Sequence, residues 1–364
     1  MKRNLIAVFI PLLILIFSVD EADAQRRRPG NIRRGGGLKR SAIKRNNKQI
    51  ANFRGRKSGF GGGRAYTYVG VSLNAFNYFG DLSPLPSRIS TDIGFTRPAF
   101  GLLIGHRFGP RYSFRGHFRY GTLRGDDFES ADPTDLESGV FRYLRNLSFR
   151  NRVAELSGTA MFDLFPNSGS YLNRVIFTPY VFVGASVFRH NPQALVPEDS
   201  GLPEAGTWVD LQPLGTEGQF SDLQPTDANF GIEPYSRIGI AIPVGLGVRY
   251  KINQNFDFSF EVGYRFTWTD YLDDVSANYV DSDVLGEGTL VEVLADRSKD
   301  PLSASGETRD QAVLTAFAGS VNGGFGVENP ENFRGNRNDN DTWIVTSFKL
   351  TYILKGGFTR AKFR

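Results

Sequence analysis

The chain is expected to be an all-β protein: an eight-stranded antiparallel transmembrane β-barrel with long outer loops and a disordered basic N-terminal arm. Three observations predict this. From Phe256 to Trp268 every second residue is apolar or aromatic, with Asp257, Ser259, Glu261, Gly263, Arg265 and Thr267 between them. A period of two means a strand, and a run this long exceeds the ~5–6 residues usual in soluble sheets while covering the ~9–11 that a tilted strand needs to cross a bilayer. Seven further segments alternate in the same way, which makes an even number, as single-chain outer-membrane barrels require. The connections between the eight alternate between short and long, the rhythm of turns on one side of a membrane and loops on the other.

Taken in order, residues 1–24 read as a secretory signal: Lys2 and Arg3, an apolar run from Leu5 to Phe17, and Ala22-Asp23-Ala24 as a small-residue cleavage site. The apolar run is shorter than the ~18 residues of a spanning helix and nothing comparable follows, so membrane residence has to come from strands. Zero cysteines exclude disulfides, thiolate metal sites and a cysteine nucleophile. No cofactor is expected.

Residues 25–64 carry fourteen Lys or Arg and no acid, among them Arg26, Arg27, Arg28, Arg33, Arg34, Lys39 and Arg40. Because the whole chain is only +5, everything after this arm is net acidic. Low hydrophobicity with like charge predicts a disordered arm. Export removes nucleic acid as its partner, which leaves a periplasmic protein or the anionic headgroups of outer-membrane lipid.

The predicted strands of the barrel domain, residues 65–364, are 66–79, 99–108, 112–123, 147–164, 175–190, 237–250, 256–269 and 342–354. Short turns fall at Gly109-Pro110-Arg111 and Ile252-Asn253-Gln254, a moderate one lies around Pro166-Asn167, and the long loops are 80–98, 124–146, 191–236 and 270–341. With long loops outside, both termini lie in the periplasm of a Gram-negative-type bacterium, and a short tail, residues 355–364, follows the last strand. Phe348, Leu350 and Tyr352 are expected on the outer face of that strand.

Parity then sorts the side chains. In 237–250, Ile238, Ile240, Ile242, Val244, Leu246 and Val248 alternate with Gly239, Ala241, Pro243, Gly245 and Gly247. Small residues suit the lumen of a narrow barrel, where they leave room for large side chains reaching across from other strands. The same parity assigns Arg115, Arg119, Glu155, Glu261, Arg265 and Lys349 to the lumen, where opposite charges have to pair. An eight-stranded interior is just wide enough to be filled by side chains, which argues against a substrate channel.

His106, His117 and His190 are the only histidines, and His117 with Glu155 is the best catalytic pair available. No serine motif accompanies them, so a histidine within a polar lumen is the preferred reading. Asp270, Asp273, Asp274, Asp281 and Asp283 invite calcium, but the spacing lacks the Gly and terminal Glu of a calcium loop, and a solvated or hydrogen-bonded loop cap is preferred. The glycine runs at 35–37 and 61–63 follow no strand and read as linker, not as a phosphate cradle.

Several strings resemble the PorG-type outer-membrane barrels of the type IX secretion and gliding apparatus: NAFNYFGDL at 74–82, PYVFVGASVFRHNP at 179–192, WVDLQPLGTEGQ at 208–219, IPVGLGVRY at 242–250 and DYLDDVSANYVD at 270–281. The last, with Asp270, Tyr271, Leu272, Asp273, Asp274, Val275, Ser276 and Tyr279, is the most specific, since long alternating strands are common to many barrels. The resemblance spans about residues 66–354 and implies a non-enzymatic structural component that contacts a periplasmic ring lipoprotein. The long arm and the tail depart from that pattern. A surface adhesin and an outer-membrane hydrolase are the alternatives from other functional classes.

Overall fold

Alternation of side chains across an extended backbone gives ten strands among the described residues of the computed structural model. These are β1 (Tyr66–Phe79), β2 (Arg97–Arg107), β3 (Tyr112–Asp126), β4 (Ser148–Asp163), β5 (Phe177–Arg189), β6 (Pro192–Leu195), β7 (Trp208–Asp210), β8 (Ile238–Lys251), β9 (Phe256–Thr267) and β10 (Thr342–Leu354). The structure describes residues 65–82, 94–136, 139–318, 326–327 and 332–354, all within the unit Ser58–Arg364. The signal segment, the basic arm with Arg26, Arg27, Arg28, Arg33, Arg34, Lys39 and Arg40, and the tail 355–364 lie outside the described residues.

The eight long strands pair antiparallel in the order β3-β2-β1-β10-β9-β8-β5-β4, and β3 pairs with β4 from Tyr112↔Phe162 to Asp126↔Ser148, which closes the ring. Closure leaves no unpaired strand edge, the condition for a sheet surrounded by hydrocarbon. The outward positions fit that solvent. Val71, Leu73, Phe100, Leu102, Leu156, Ile238 and Leu246 are each more than half exposed, an apolar surface that water would not tolerate at this extent. The seventh barrel strand stops at Thr267, two residues short of the sequence expectation. There the Thr267 hydroxyl accepts from the Thr269 N–H at 3.2 Å and donates to the Asp341 carbonyl at 2.6 Å, which takes the chain off the ladder.

Glycines on β8 have a specific reason. Tyr180, Phe182 and Phe188 on β5 stand directly opposite Gly247, Gly245 and Gly239, and a Cβ at Gly239 would lie 2.4 Å from the Phe188 ring. The large side chains these glycines accommodate thus come from the neighbouring strand and not from across the lumen, because a direct cross-strand pair is the shortest distance an inward ring has to span.

Among the described residues, the long loops carry structure of their own. The hairpin of β6 and β7 extends the sheet past β4. Short helices α1 (Asp127–Ser130), α2 (Gly139–Arg145), α3 (Ser282–Leu285), α4 (Leu290–Ala295) and α5 (Gln311–Ala318) also lie in the described parts of these loops. The apolar core sits at the long-loop end of the barrel, where Phe76, Tyr78, Leu123, Phe149, Phe188 and Trp343 surround Leu272 and Val275 from the loop after β9.

Candidate functional site

Two assemblies follow from inward parity and loop chemistry: a charge network in the lumen and a hydrogen-bonded cap above it. In the lumen, Arg115 on β3 holds Glu261 on β9 with both guanidinium nitrogens, the second at 3.0 Å, and Lys349 on β10 reaches the same carboxylate. The Tyr180 hydroxyl donates to Glu261 at 2.5 Å. One layer nearer the loops, Glu155 on β4 accepts from Arg119 at 3.0 Å and from Arg265 at 3.1 Å. All six side chains assigned by parity are buried and joined in these two groups. Four cations share two carboxylates there, so every carboxylate oxygen has a charged donor.

His117 does not pair with Glu155. Its Nε2 lies 3.0 Å from the Ser72 hydroxyl, in a chain that continues through Asn74 to Ser347, while both oxygens of Glu155 are taken by arginines. Two guanidinium groups outcompete one imidazole for a carboxylate in a low-dielectric interior. His106 contacts the Thr67 hydroxyl at 2.9 Å, and His190 stacks on Tyr235 in the cap.

Toward the short turns, Asp163 takes Arg107 at 2.6 Å and Arg249 at 2.5 Å, and Asp257 takes Arg174 at 2.7 Å. Sequence reading passed over this lower group. Asp163, Arg249 and Asp257 carry the same inward parity as Glu155 and Glu261, which was the available signal. Tyr66, Tyr68, Leu103 and Ile353 close that end. Between the layers a cavity of about 20 Å³ is lined by Arg115, Tyr180, Arg249 and Lys349, room for about one water.

The cap is built on the loop after β9. Leu272 is fully buried in the apolar core; its N–H donates to Asp341 at 2.7 Å and its carbonyl accepts from Asn151 at 2.6 Å. Asp273 accepts from the Tyr78 hydroxyl at 2.6 Å and from the N–H groups of Leu82 and Val275. Asp274, at a left-handed φ of 70°, accepts from Thr216 and Tyr235, each at 2.5 Å. Tyr271 stacks flat on Tyr235 with ring centres 4.5 Å apart. Glu217 receives the N–H groups of Ser276 and Ala277 at 2.8 and 3.0 Å and the Arg334 guanidinium at 3.0 Å; Arg334 also donates to the Asp274 and Ala295 carbonyls. The strings 74–82, 208–219 and 270–281, remote in sequence, therefore meet here through Tyr78, Leu82, Thr216, Glu217 and the Asp273–Asp274 pair.

Desolvation sets the electrostatics of the cap. Burial, reinforced by the charges of Asp81 and Asp273, pushes the Asp270 carboxyl up to about 9. Burial and the neighbouring Asp81 hold Asp273 well above the carboxylate range, and burial with Asp273 and Asp270 does the same to Asp341. Asp274 rises only to about 6, since Arg334 and its hydroxyl donors offset its burial. The His190 imidazole is drawn down to about 4 by burial. Among the described residues no group of three His, Asp or Glu is arranged to hold a metal ion. Asp281 precedes α3 without a side-chain capping bond, and Asp283 lies within that helix.

A family model described as a domain of unknown function, DUF6089, matches residues 64–204, which span β1 to β6 and part of the following loop. No curated protein matches the chain. Among solved structures, the chain is similar to Neisserial surface protein A (10% identity, TM-score 0.32, covering 79% of this chain and 97% of that one). It is also similar to the attachment invasion locus protein Ail of Yersinia pestis (8%, TM-score 0.30, 80% and 97%) and to the N-terminal β-barrel domain of Pseudomonas aeruginosa OprF (8%, TM-score 0.30, 80% and 100%). The barrel assignment rests on the closed strand pairing of this chain and on its apolar exterior.

Proposed function

We propose that this chain is a non-enzymatic barrel of the outer membrane that anchors or contacts a periplasmic ring lipoprotein of the type IX secretion and gliding apparatus. The observation that carries the reading is the filled lumen. Among the described residues, charged layers, an apolar core and the Leu272 stopper occupy the lumen, which supports a barrel that acts through its surfaces and not as a conduit. The resemblance of residues 74–82, 208–219 and 270–281 to the PorG-type barrels supplies the particular machine. In this reading residues 1–24 direct export, both termini lie in the periplasm, and the short turns with the basic arm, residues 25–64, meet the partner.

The hydrolase alternative lacks an accessible acid–base set, because His117 is buried and bonded to Ser72. The adhesin alternative draws on one specific feature: Phe220, Phe230 and Phe333 are each more than half exposed on the loop side. Deleting the gene tests the proposal. Export of type IX cargo should stop while other outer-membrane proteins stay in place, and crosslinking in intact cells should attach the barrel to the ring lipoprotein. Removing residues 26–64 should weaken co-purification with that lipoprotein if the arm docks, and leave it intact if the arm coats the leaflet. Normal export in a deletion strain without a paralogue would overturn the secretion role and bring the adhesin reading forward.

A further inference from the structure

The lipid-side positions of the eight barrel strands are apolar or uncharged with four exceptions, and all four are arginines: Arg124 on β3, Arg150 and Arg152 on β4, and Arg189 on β5. Asp126 shares the alternation at the end of β3 but is buried under α1, which it caps. The four belong to three adjacent strands, all at the long-loop end. Arg124 stands directly opposite Arg150, Arg152 opposite Thr122, and Arg189 opposite Ala154, diagonal to Arg152. At that level the next strand, β8, presents Ile238 directly opposite Arg189, with Ile240 beyond it, and β9 presents Phe266, all apolar. The positive charge is thus confined to one flank.

Like charges directly opposed on neighbouring strands are destabilising unless a counter-charge joins them. The protein supplies part of one: Arg124 pairs with Glu129 and lies 3.4 Å from Asp126, and Arg150 donates to Gln193 with its guanidinium 3.9 Å from the centre of the Trp208 ring. Arg152 and Arg189 are exposed, and among the described residues neither has an ion-pair partner. They are also the two nearest the apolar band, one row above Tyr120 and level with Ala154.

We propose that Arg150, Arg152 and Arg189 form a docking surface for the phosphate-bearing headgroups of lipids in the leaflet around the long-loop end. The proposal rests on the reading that the apolar band lies in a bilayer. A guanidinium offers phosphate two parallel donors, and its weak hydration suits the boundary between hydrocarbon and water. The aromatic ring of Tyr120 below and Trp208 beside Arg150 give the flank the mixed character of a membrane interface. One-sided placement predicts that bound lipid is ordered against β3, β4 and β5 and not against β9, β10 and β1.

The test uses the full exported chain in phosphatidylcholine nanodiscs doped with diphosphoryl lipid A or with its dephosphorylated form, and reads retained lipid by native mass spectrometry. Wild type should retain the diphosphoryl form preferentially. The R152Q/R189Q double variant should lose that preference by roughly 30-fold, the summed effect of two arginines at an anionic surface. R152K/R189K should keep most of it. Equal retention of both lipids by wild type, or an undiminished preference in R152Q/R189Q, would overturn the proposal. Displacement of the lipid by inorganic phosphate at comparable concentration would make this a free-phosphate site and overturn it also. Failure of wild type to enter the discs at all would instead remove the membrane reading, and this surface with it.

Discussion

The Tyr78 hydroxyl lies within hydrogen-bonding distance of two carboxylates at once, 2.6 Å from Asp273 and 2.7 Å from Asp341. A phenol has one proton to give. The second contact therefore needs a proton on a carboxyl, in keeping with the upward shift that burial imposes on both acids. This shared-proton knot ties the end of β1 to the loop after β9 and to the residue preceding β10.

The knot gives the cap a pH dependence of definite sign. Asp270, raised from 3.8 to about 9, holds a proton in the folded cap that the unfolded chain has released, and Asp273 and Asp341 are shifted in the same direction. The folded state binds more protons across this window, so cap stability falls as pH rises from about 4 to about 9. Hydrogen exchange at the amides of residues 270–279, corrected for intrinsic rate, should show protection decreasing with pH. Asp270→Asn should flatten that trend. Protection that grows toward alkaline pH would contradict the protonated cluster.

Glu261→Ala should destabilise the barrel by roughly 3–5 kcal/mol, because it strands Arg115 and Lys349 without their shared carboxylate. Phe260→Ala, on the lipid side against Phe348, removes apolar contact without stranding a charge and should cost less. Urea unfolding in detergent, followed by the gel shift between folded and boiled forms, measures both. A silent Glu261 change would show that the network does not hold the strands.

Gly239→Ala should cost about 1–3 kcal/mol, the usual penalty for overpacking, since the new methyl meets the Phe188 ring at 2.4 Å and neighbours of the ring include Trp343. Phe188→Leu in the same background should recover part of the loss. Equal thermal midpoints for wild type and Gly239→Ala would show that the ring moves aside freely.

Arg334→Met should loosen the cap and spare the barrel. It leaves Glu217 as a buried carboxylate with two N–H donors and no cation, and it frees the carbonyls of Asp274 and Ala295. Limited proteolysis should then cut within residues 270–341 while the strands stay protected and the heat-modified gel shift is unchanged. Cleavage confined to the barrel strands would place the weakness elsewhere.

By itself the sequence determined the strands and their two faces. A period of two is forced by extended backbone geometry, and hydrocarbon outside a closed sheet permits only apolar side chains there, so the alternation of Phe258, Phe260 and Val262 with Ser259, Glu261 and Gly263 is legible without coordinates. The inward placement of Arg115, Arg119, Glu155, Glu261, Arg265 and Lys349 follows from the same count. Tertiary structure decided which of them meet. Arg115 and Glu261 are 146 residues apart, and nothing local distinguishes Glu155 as a partner for Arg119 and Arg265 from Glu155 as a partner for His117. Nor does any local pattern reveal that Tyr78, Glu217, Asp274 and Arg334 close over one mouth, because loops have no period and their contacts depend on where barrel closure brings the strand ends.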